Sequence, residues 1–286
     1  MLIIDPDTDS FDETTITGLP SSAGKWASAV LVDDTVYCMP FVHDAVLKIN
    51  TTTNTADYTT ITGAGSLDFK YRGSALADNG KIYGISYSAT NVAIIDPETD
   101  TLDITTISGV TGTGYGYSWR GGVKANDGRI FGVPYYMDCV LIIDPATDTA
   151  DETSICMSAT DDRWAGAALA PSGLIYMMPY DSSHALILDP TTDTLDTTTL
   201  SSLSVSSAAF TDVIAVGNVL FAMPFSETDV MAVFIDNDHR TKFDNTGETG
   251  DYKWPEAVYA SSSNKIFSTP TGSSSILVID TSPFVA

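Results

Sequence analysis

The sequence has little positive charge, few cysteines and no long apolar run. Its 286 residues include 13 Lys and Arg against 37 Asp and Glu, which gives a formal net charge of −24. Such a chain does not neutralise the phosphates of a nucleic acid in bulk, and anionic membranes repel it. No apolar run approaches the roughly 18 residues of a membrane-spanning helix. We therefore expect neither nucleic acid nor membrane as a partner.

The cysteine content excludes a small disulfide-rich scaffold. Cys38, Cys139 and Cys156 are an odd number, and they show neither a CxxC pair nor a metal-ligand spacing. Cys139 and Cys156 flank a predicted hairpin turn, so a cross-strand disulfide is one interpretation and buried thiols are the preferred one. We expect no cofactor, and a divalent metal ranks low.

What the chain does contain is typical of a folded β protein. Hydrophobic residues make up 43% of the sequence and aromatic residues 10%, which excludes a disordered chain. Strong acidity with little lysine favours an extracellular or saline setting. We expect a monomer.

An internal repeat predicts the fold. A segment such as IIDPETDTLDITTI recurs at intervals of 44 to 48 residues, and each copy is marked by one Asp or Asn. The markers are Asp5, Asn50, Asp96, Asp144, Asp189, Asp236 and Asp280.

Each period contains four short runs that read as strands, such as WAGAALA, LIYMMPY, HALILD and TLDTTTL. Four strands per repeat of this length predict a propeller blade. The expected fold is all-β: a six-bladed β-propeller in one domain over residues 1–286, with a strand near residues 11–17 closing the ring by completing the last blade. The expected blades are residues 18–63, 64–109, 110–157, 158–202, 203–246, and 247–286 with 1–17.

The repeat IYMMPYDSSHALILDPTTDTLDTTTL resembles the YVTN-type and kelch-like propeller repeats. The resemblance covers nearly the whole chain and implies the propeller fold. Relatives include binding modules, surface-layer proteins, lactonases and lyases, so the resemblance does not select an activity. The double glycine of kelch repeats, the WD signature and the Asp-box of sialidases are absent.

The acidic DPxTD turns between the third and fourth strands allow two interpretations. Calcium binding needs six to eight oxygens, and one such turn offers few that converge. Asp-Pro and Thr-Asp are also good turn residues, and we prefer this structural interpretation.

The opposite face is predicted to carry a ring of aromatic and cationic residues where each first strand starts. The structural alternative is that the aromatic residues pack between blades. The proposed ligand-binding residues are Trp26, Tyr71, Trp119, Trp164, Phe210 and Trp254 with Lys25, Lys70, Arg72, Arg120, Arg163 and Lys253.

Three functions compete. The first is binding of an anionic carbohydrate or small carboxylated molecule, in which aromatic faces stack on the ligand and cations hold its acid. The second is a lyase on an acidic polysaccharide or carboxylated substrate, with an arginine stabilising the enolate and His43, His184 or Tyr136 as the base. The third is a scaffold for protein interaction.

Overall fold

The computed structural model describes residues 1–111, 116–158, 163–203, 205–244 and 253–284. Within these ranges the regular structure is β, apart from one 3₁₀ turn at Ser282–Phe284. No helix in the described ranges is long and apolar enough to cross a membrane. The chain divides into two compact units, Met1–Ser154 and Ile155–Ala286.

The first unit contains a two-stranded hairpin and three four-stranded antiparallel sheets, in each of which the strands follow chain order. The hairpin is β1 (Ile3–Asp5) and β2 (Ser10–Asp12). The sheets are β3 (Trp26–Val32), β4 (Thr35–Pro40), β5 (Leu47–Asn50) and β6 (Thr55–Asp57); β7 (Tyr71–Leu76), β8 (Ile82–Ser86), β9 (Ala93–Asp96) and β10 (Thr101–Asp103); and β11 (Trp119–Lys124), β12 (Ile130–Pro134), β13 (Leu141–Asp144) and β14 (Thr149–Asp151).

The second unit contains two four-stranded sheets and one three-stranded sheet. They are β15 (Trp164–Leu169), β16 (Ile175–Pro179), β17 (Leu186–Asp189) and β18 (Thr194–Asp196); β19 (Phe210–Val216), β20 (Val219–Pro224), β21 (Asp229–Phe234) and β22 (His239–Asp244); and β23 (Ala257–Ala260), β24 (Lys265–Ser268) and β25 (Leu277–Asp280).

Six successive antiparallel sheets confirm the predicted all-β, six-bladed propeller, and five of the six sheets have the expected four strands. The predicted N-terminal strand pairs differently from the expectation. β2 pairs with β1 through the Asp5-Pro6 turn, and the last sheet consists of β23, β24 and β25. The tight turn gives β2 a partner within its own hairpin.

The core lies between neighbouring sheets within each unit. In the first unit, the buried side chains Ile94 and Ile143 belong to one cluster that joins the second and third sheets. In the second unit, Leu220 and Ile187 belong to a cluster that joins the first two sheets. The third strands are apolar on successive residues because both of their faces are covered.

The cysteines do not all fit the preferred interpretation. Cys139 and Cys156 are disulfide-bonded, whereas Cys38 keeps its thiol and is partly buried. Burial of free thiols therefore does not describe Cys139 and Cys156.

Candidate functional site

The predicted aromatic ring residues are structural anchors in the core. Trp119 and Trp164 are at most 1% exposed, and Tyr71, Phe210 and Trp254 are equally buried. Each tryptophan Nε1 donates a hydrogen bond to the backbone carbonyl that precedes the third strand of its own sheet. These acceptors are Ala45 for Trp26 (2.6 Å), Cys139 for Trp119 (2.9 Å), His184 for Trp164 (2.9 Å) and Ser275 for Trp254 (2.8 Å).

The Tyr71 hydroxyl makes a comparable contact with the Asn91 side chain. A fully buried ring whose polar group is bonded within the protein has no face open to a ligand. The buried rings therefore do not fit the expected stacking on a ligand. They fit the structural alternative, in which the rings stabilise the loop between the second and third strands. Trp26, which is half-buried, shares this hydrogen-bonding role.

Several predicted cations are engaged within the protein. The Lys70 ammonium is buried and donates to the carbonyls of Leu67 (2.7 Å) and Val42 (3.3 Å). Burial lowers the pKa of Lys70, and the charges of Asp44 and Asp68 oppose that shift. Such a lysine stabilises the loop rather than contacting a ligand.

The cations beside three of the predicted ring tryptophans also have contacts within the protein or are buried. Lys25 donates to the Ser22 carbonyl at 2.5 Å and lies over the Trp26 ring. In the second unit, Arg163 forms an ion pair with Asp181 at 3.2 Å, and Lys253 is fully buried. Lys25 and Arg163 therefore already have partners within the protein, and Lys253 is closed to solvent.

Arg72 differs from these cations. It lies in a β-bulge between Tyr71 and Ser74 of β7, followed by Gly73 at φ +127°. Bulges redirect a side chain out of the regular pleat. The Arg72 guanidinium lies over the rings of Phe41 (5.8 Å) and Tyr87 (5.6 Å). Among the residues that the structure describes, no carboxylate forms an ion pair with it.

Arg120 occupies the equivalent bulge of β11, and its guanidinium lies over the Tyr135 ring at 5.3 Å. The two bulges are close together: a Cβ atom added to Gly73 would lie 2.9 Å from the Cα of Gly121. Glycine at both positions lets the strands approach and brings the two arginines to neighbouring places on one face.

Six aromatic side chains surround these arginines, and we call the whole set the aromatic–arginine patch. All of its members lie in the first unit. Neighbouring ring centroids are between 4.9 and 6.3 Å apart along the set. The patch consists of Phe41, Phe69, Arg72, Tyr87, Tyr117, Arg120, Tyr135 and Tyr136.

Two rings of the patch stand on strained backbone. Phe69 and Tyr117 have φ of 58° and 72°, a left-handed conformation that bulky residues rarely adopt. Gly24 and Ala208 take this conformation at the equivalent position of other sheets. Both rings are also exposed, at 39% and 36%. Strain held at an exposed position is characteristic of functional sites.

The charges of both Arg72 and Arg120 act on the Tyr87 hydroxyl. Burial raises the pKa of Tyr87, and the positive charges of Arg72 and Arg120 oppose the shift. The phenol therefore stays protonated at neutral pH, and two positive charges lie near it in a chain of net charge −24.

The three candidate bases have different surroundings. His43 contacts Trp26 (5.0 Å between centroids) and Tyr58 (5.6 Å), and its Nδ1 accepts a hydrogen bond from the Ala45 amide at 3.1 Å. In the second unit, His184 contacts Trp164, and its Nδ1 is 3.1 Å from the Ser182 hydroxyl.

Tyr136, in contrast, belongs to the patch. It is 40% exposed and packs against Tyr135 and Tyr117. Of the three candidate bases, Tyr136 is the one that packs against rings of the patch.

Phe69 and Tyr117 are not among the site residues predicted from the sequence. A signal for them exists, because each precedes the inner aromatic by two residues, where Gly24 stands in the first sheet. Aromatic residues where a repeat elsewhere uses glycine indicate a local role that packing does not require.

The aspartate carboxylates of the acidic turns accept hydrogen bonds from nearby backbone amides. Asp5 Oδ1 accepts from the amides of Asp7 (2.9 Å) and Thr8 (3.4 Å), and Asp144 accepts from Ala146 in the same way (2.9 Å). In the ranges that the structure describes, no group of three or more His, Cys, Asp or Glu could hold a metal ion. The arrangement supports the turn interpretation of these residues.

Comparison with known proteins identifies the fold. The sequence matches no protein-family model and no curated protein. A catalytically inactive variant of virginiamycin B lyase from Staphylococcus aureus, solved with quinupristin, is similar in structure with a TM-score of 0.74 and 10% identity, covering 94% of this chain and 84% of that one.

Two further structures give the same result. A streptogramin B lyase has a TM-score of 0.74 and 8% identity, covering 94% of this chain and 83% of its own. An auxiliary nutrient binding protein from Bacteroides thetaiotaomicron has a TM-score of 0.62 and 11% identity, covering 86% and 66%. At these identities the similarity shows the β-propeller fold alone.

Proposed function

We propose that the protein binds an anionic ligand, a carbohydrate or a small molecule that carries a carboxylate, at the aromatic–arginine patch. The observation that carries the proposal is Arg72, whose guanidinium stacks on two rings and forms no ion pair with a carboxylate in the described ranges. An arginine desolvated by aromatic rings binds a carboxylate through two parallel hydrogen bonds.

The lyase alternative shares this patch. Proton abstraction beside a carboxylate needs a cation near the developing enolate and a base within hydrogen-bonding reach. Arg72 would serve as the cation and the Tyr136 hydroxyl as the base. We rank binding first, because it needs only the arginine and the rings, whereas a lyase also needs Tyr136 to lose its proton.

The test is isothermal titration calorimetry with trigalacturonate and a panel of small carboxylates. Arg72→Gln removes the charge and should weaken binding at least tenfold, as expected for a charge-assisted hydrogen bond. Arg129→Gln is the matched control, since Arg129 also lies over a ring (Phe131, 5.0 Å) but pairs with Asp127. Equal affinity of both variants and the wild type would refute the proposal.

The same samples separate binding from turnover. Unsaturated product from trigalacturonate, followed by ultraviolet absorbance, would identify a lyase. In that case Tyr136→Phe should abolish product and leave the affinity unchanged. Binding without product supports a binding protein.

A further inference from the structure

We propose that the ligand of the aromatic–arginine patch is a small carboxylate carried on a flat ring, rather than an acidic polysaccharide. This inference rests on the proposed function and narrows its ligand class. It follows from three features of the patch: how Arg72 is stacked, how the rings are tilted, and which polar groups are already bonded.

The stacking of Arg72 directs its hydrogen bonds. The centroids of the Phe41 and Tyr87 rings lie 5.8 and 5.6 Å from the Arg72 guanidinium carbon, and a hydrogen bond from Arg72 opposes the rise that burial causes in the pKa of Tyr87. The N–H groups of a guanidinium lie in its plane, and an acid must therefore approach the edge. A carboxylate bound there lies between rings, with its substituent directed along the aromatic surface.

The rings of the patch are tilted against one another rather than coplanar. Phe69 and Tyr117 are inclined to each other at 60°, and Tyr135 and Tyr136 at 79°. Tyr87 and Tyr117 are inclined at 36°. A further aromatic ring gains edge-to-face and offset contacts in such a tilted set, contacts that a sugar ring, which has no aromatic edge, does not make.

The backbone around the patch is already hydrogen-bonded. The amide of Tyr87 donates to the Lys70 carbonyl (2.8 Å), that of Ser118 to the Tyr87 carbonyl (2.6 Å), and that of Tyr135 to the Ser118 carbonyl (3.0 Å). A uronate presents several hydroxyl groups that each need a partner. What the patch presents instead is ring surface, phenol hydroxyls and arginine, which suits an apolar body with one acidic end.

The experiment is calorimetry of the full chain with four probes: phenylacetate, phenylacetamide, acetate and trigalacturonate. We expect phenylacetate to bind at least tenfold more tightly than each of the other three. Acetate or trigalacturonate binding as tightly as phenylacetate overturns the ring preference and leaves the proposed function intact. Phenylacetamide binding equally well, or no anion binding at all, overturns both.

A pair of variants tests whether the strained rings make the contact. Phe69→Gly and Tyr117→Gly remove a ring at positions where glycine relieves the left-handed strain. Each should weaken phenylacetate binding roughly threefold to tenfold, the value of one aromatic contact, and leave acetate binding unchanged.

Phe11→Ala is the control, because Phe11 is an exposed ring (62%) of the N-terminal hairpin. It should leave the affinity for phenylacetate unchanged. Melting temperatures of the glycine variants at or above that of the control would show that the rings are not needed for folding. Unchanged phenylacetate affinity in both glycine variants would overturn the inference.

Discussion

Aspartate side chains organise the repeated hairpins through both carboxylate oxygens. At the end of the fourth strand, Asp57 Oδ1 accepts from the amide and hydroxyl of Thr59, and its Oδ2 accepts from the Thr60 hydroxyl (2.5 Å). These bonds lower the pKa of Asp57 to about 2, the Thr60 hydroxyl contributing most. Asp103 and Asp196 make the same bonds, and their pKa values are lowered for the same reason.

The first prediction concerns acid stability. Because the folded pKa lies below the ordinary value of 3.8, the stabilisation is complete above about pH 4 and is lost as the pH falls towards 2. Asn has one oxygen and an NH₂ group, so replacing Asp57, Asp103 and Asp196 together with Asn removes the bonds to Oδ2. The melting temperature should fall at pH 7, and the difference from the wild type should shrink towards pH 2.

Differential scanning fluorimetry between pH 2 and 7 measures this difference. The variant carries three fewer negative charges, which alone would stabilise so acidic a chain. A melting temperature above that of the wild type at pH 7 would contradict the role given to the aspartates.

A second prediction concerns the aspartate at the left-handed position of a DPxTD turn. Asp148 (φ 51°) accepts a 2.5 Å hydrogen bond from the buried Tyr83 hydroxyl of the preceding sheet. Phe131 occupies the position equivalent to Tyr83 in the next sheet, so phenylalanine fits there. Tyr83→Phe should reduce the free energy of unfolding by about 1.5–3 kcal/mol, as expected for a bond to a charged group.

Tyr259→Phe is the matched control, since its hydroxyl bonds the neutral Asn264 side chain at 3.0 Å. Urea unfolding of the two variants gives the comparison. A loss no greater for Tyr83→Phe than for Tyr259→Phe would show that Asp148 does not join the two sheets.

At the scale of the elements, stability resides in the third strands that stack between neighbouring sheets. Ile143 of β13 is fully buried in the cluster that joins the second and third sheets. Ile143→Ala should cost about 2–5 kcal/mol, because it leaves a cavity that its neighbours fill only partly. Leu31→Ala, at a 58% exposed position of β3, should cost far less. Chemical denaturation that ranks the two variants equally would contradict the strand assignment.

The strands were predictable, whereas the local geometry of the site was not. Runs such as LIYMMPY and HALILD carry their β pattern in a few adjacent residues, and their apolar succession indicates burial on both faces. The bulge at Arg72 depends on how β7 meets β11 across the Gly73–Gly121 contact, which no local pattern encodes. The same holds for Trp119, whose hydrogen-bond acceptor is twenty residues further along the chain.

At the scale of the whole chain, self-repulsion is the dominant electrostatic feature. A net charge of −24 opposes the compact state. Ion pairs such as Lys48–Asp100 (2.6 Å) offset this repulsion only locally. We predict that the melting temperature rises when NaCl increases from 20 to 200 mM, since the screening length then falls to about 7 Å. A fall over this range would show that the ion pairs outweigh the repulsion.

The net negative charge repels anions from most of the chain, so we expect an anion to approach where the arginines of the patch lie. In the proposed complex, Arg72 binds the acid group of that anion. NMR spectra of the arginine Nε–H groups during a phenylacetate titration test it most directly. We expect the Arg72 resonance to shift with saturation while that of Arg129 stays unchanged. Binding detected by calorimetry without any shift at Arg72 would contradict the account.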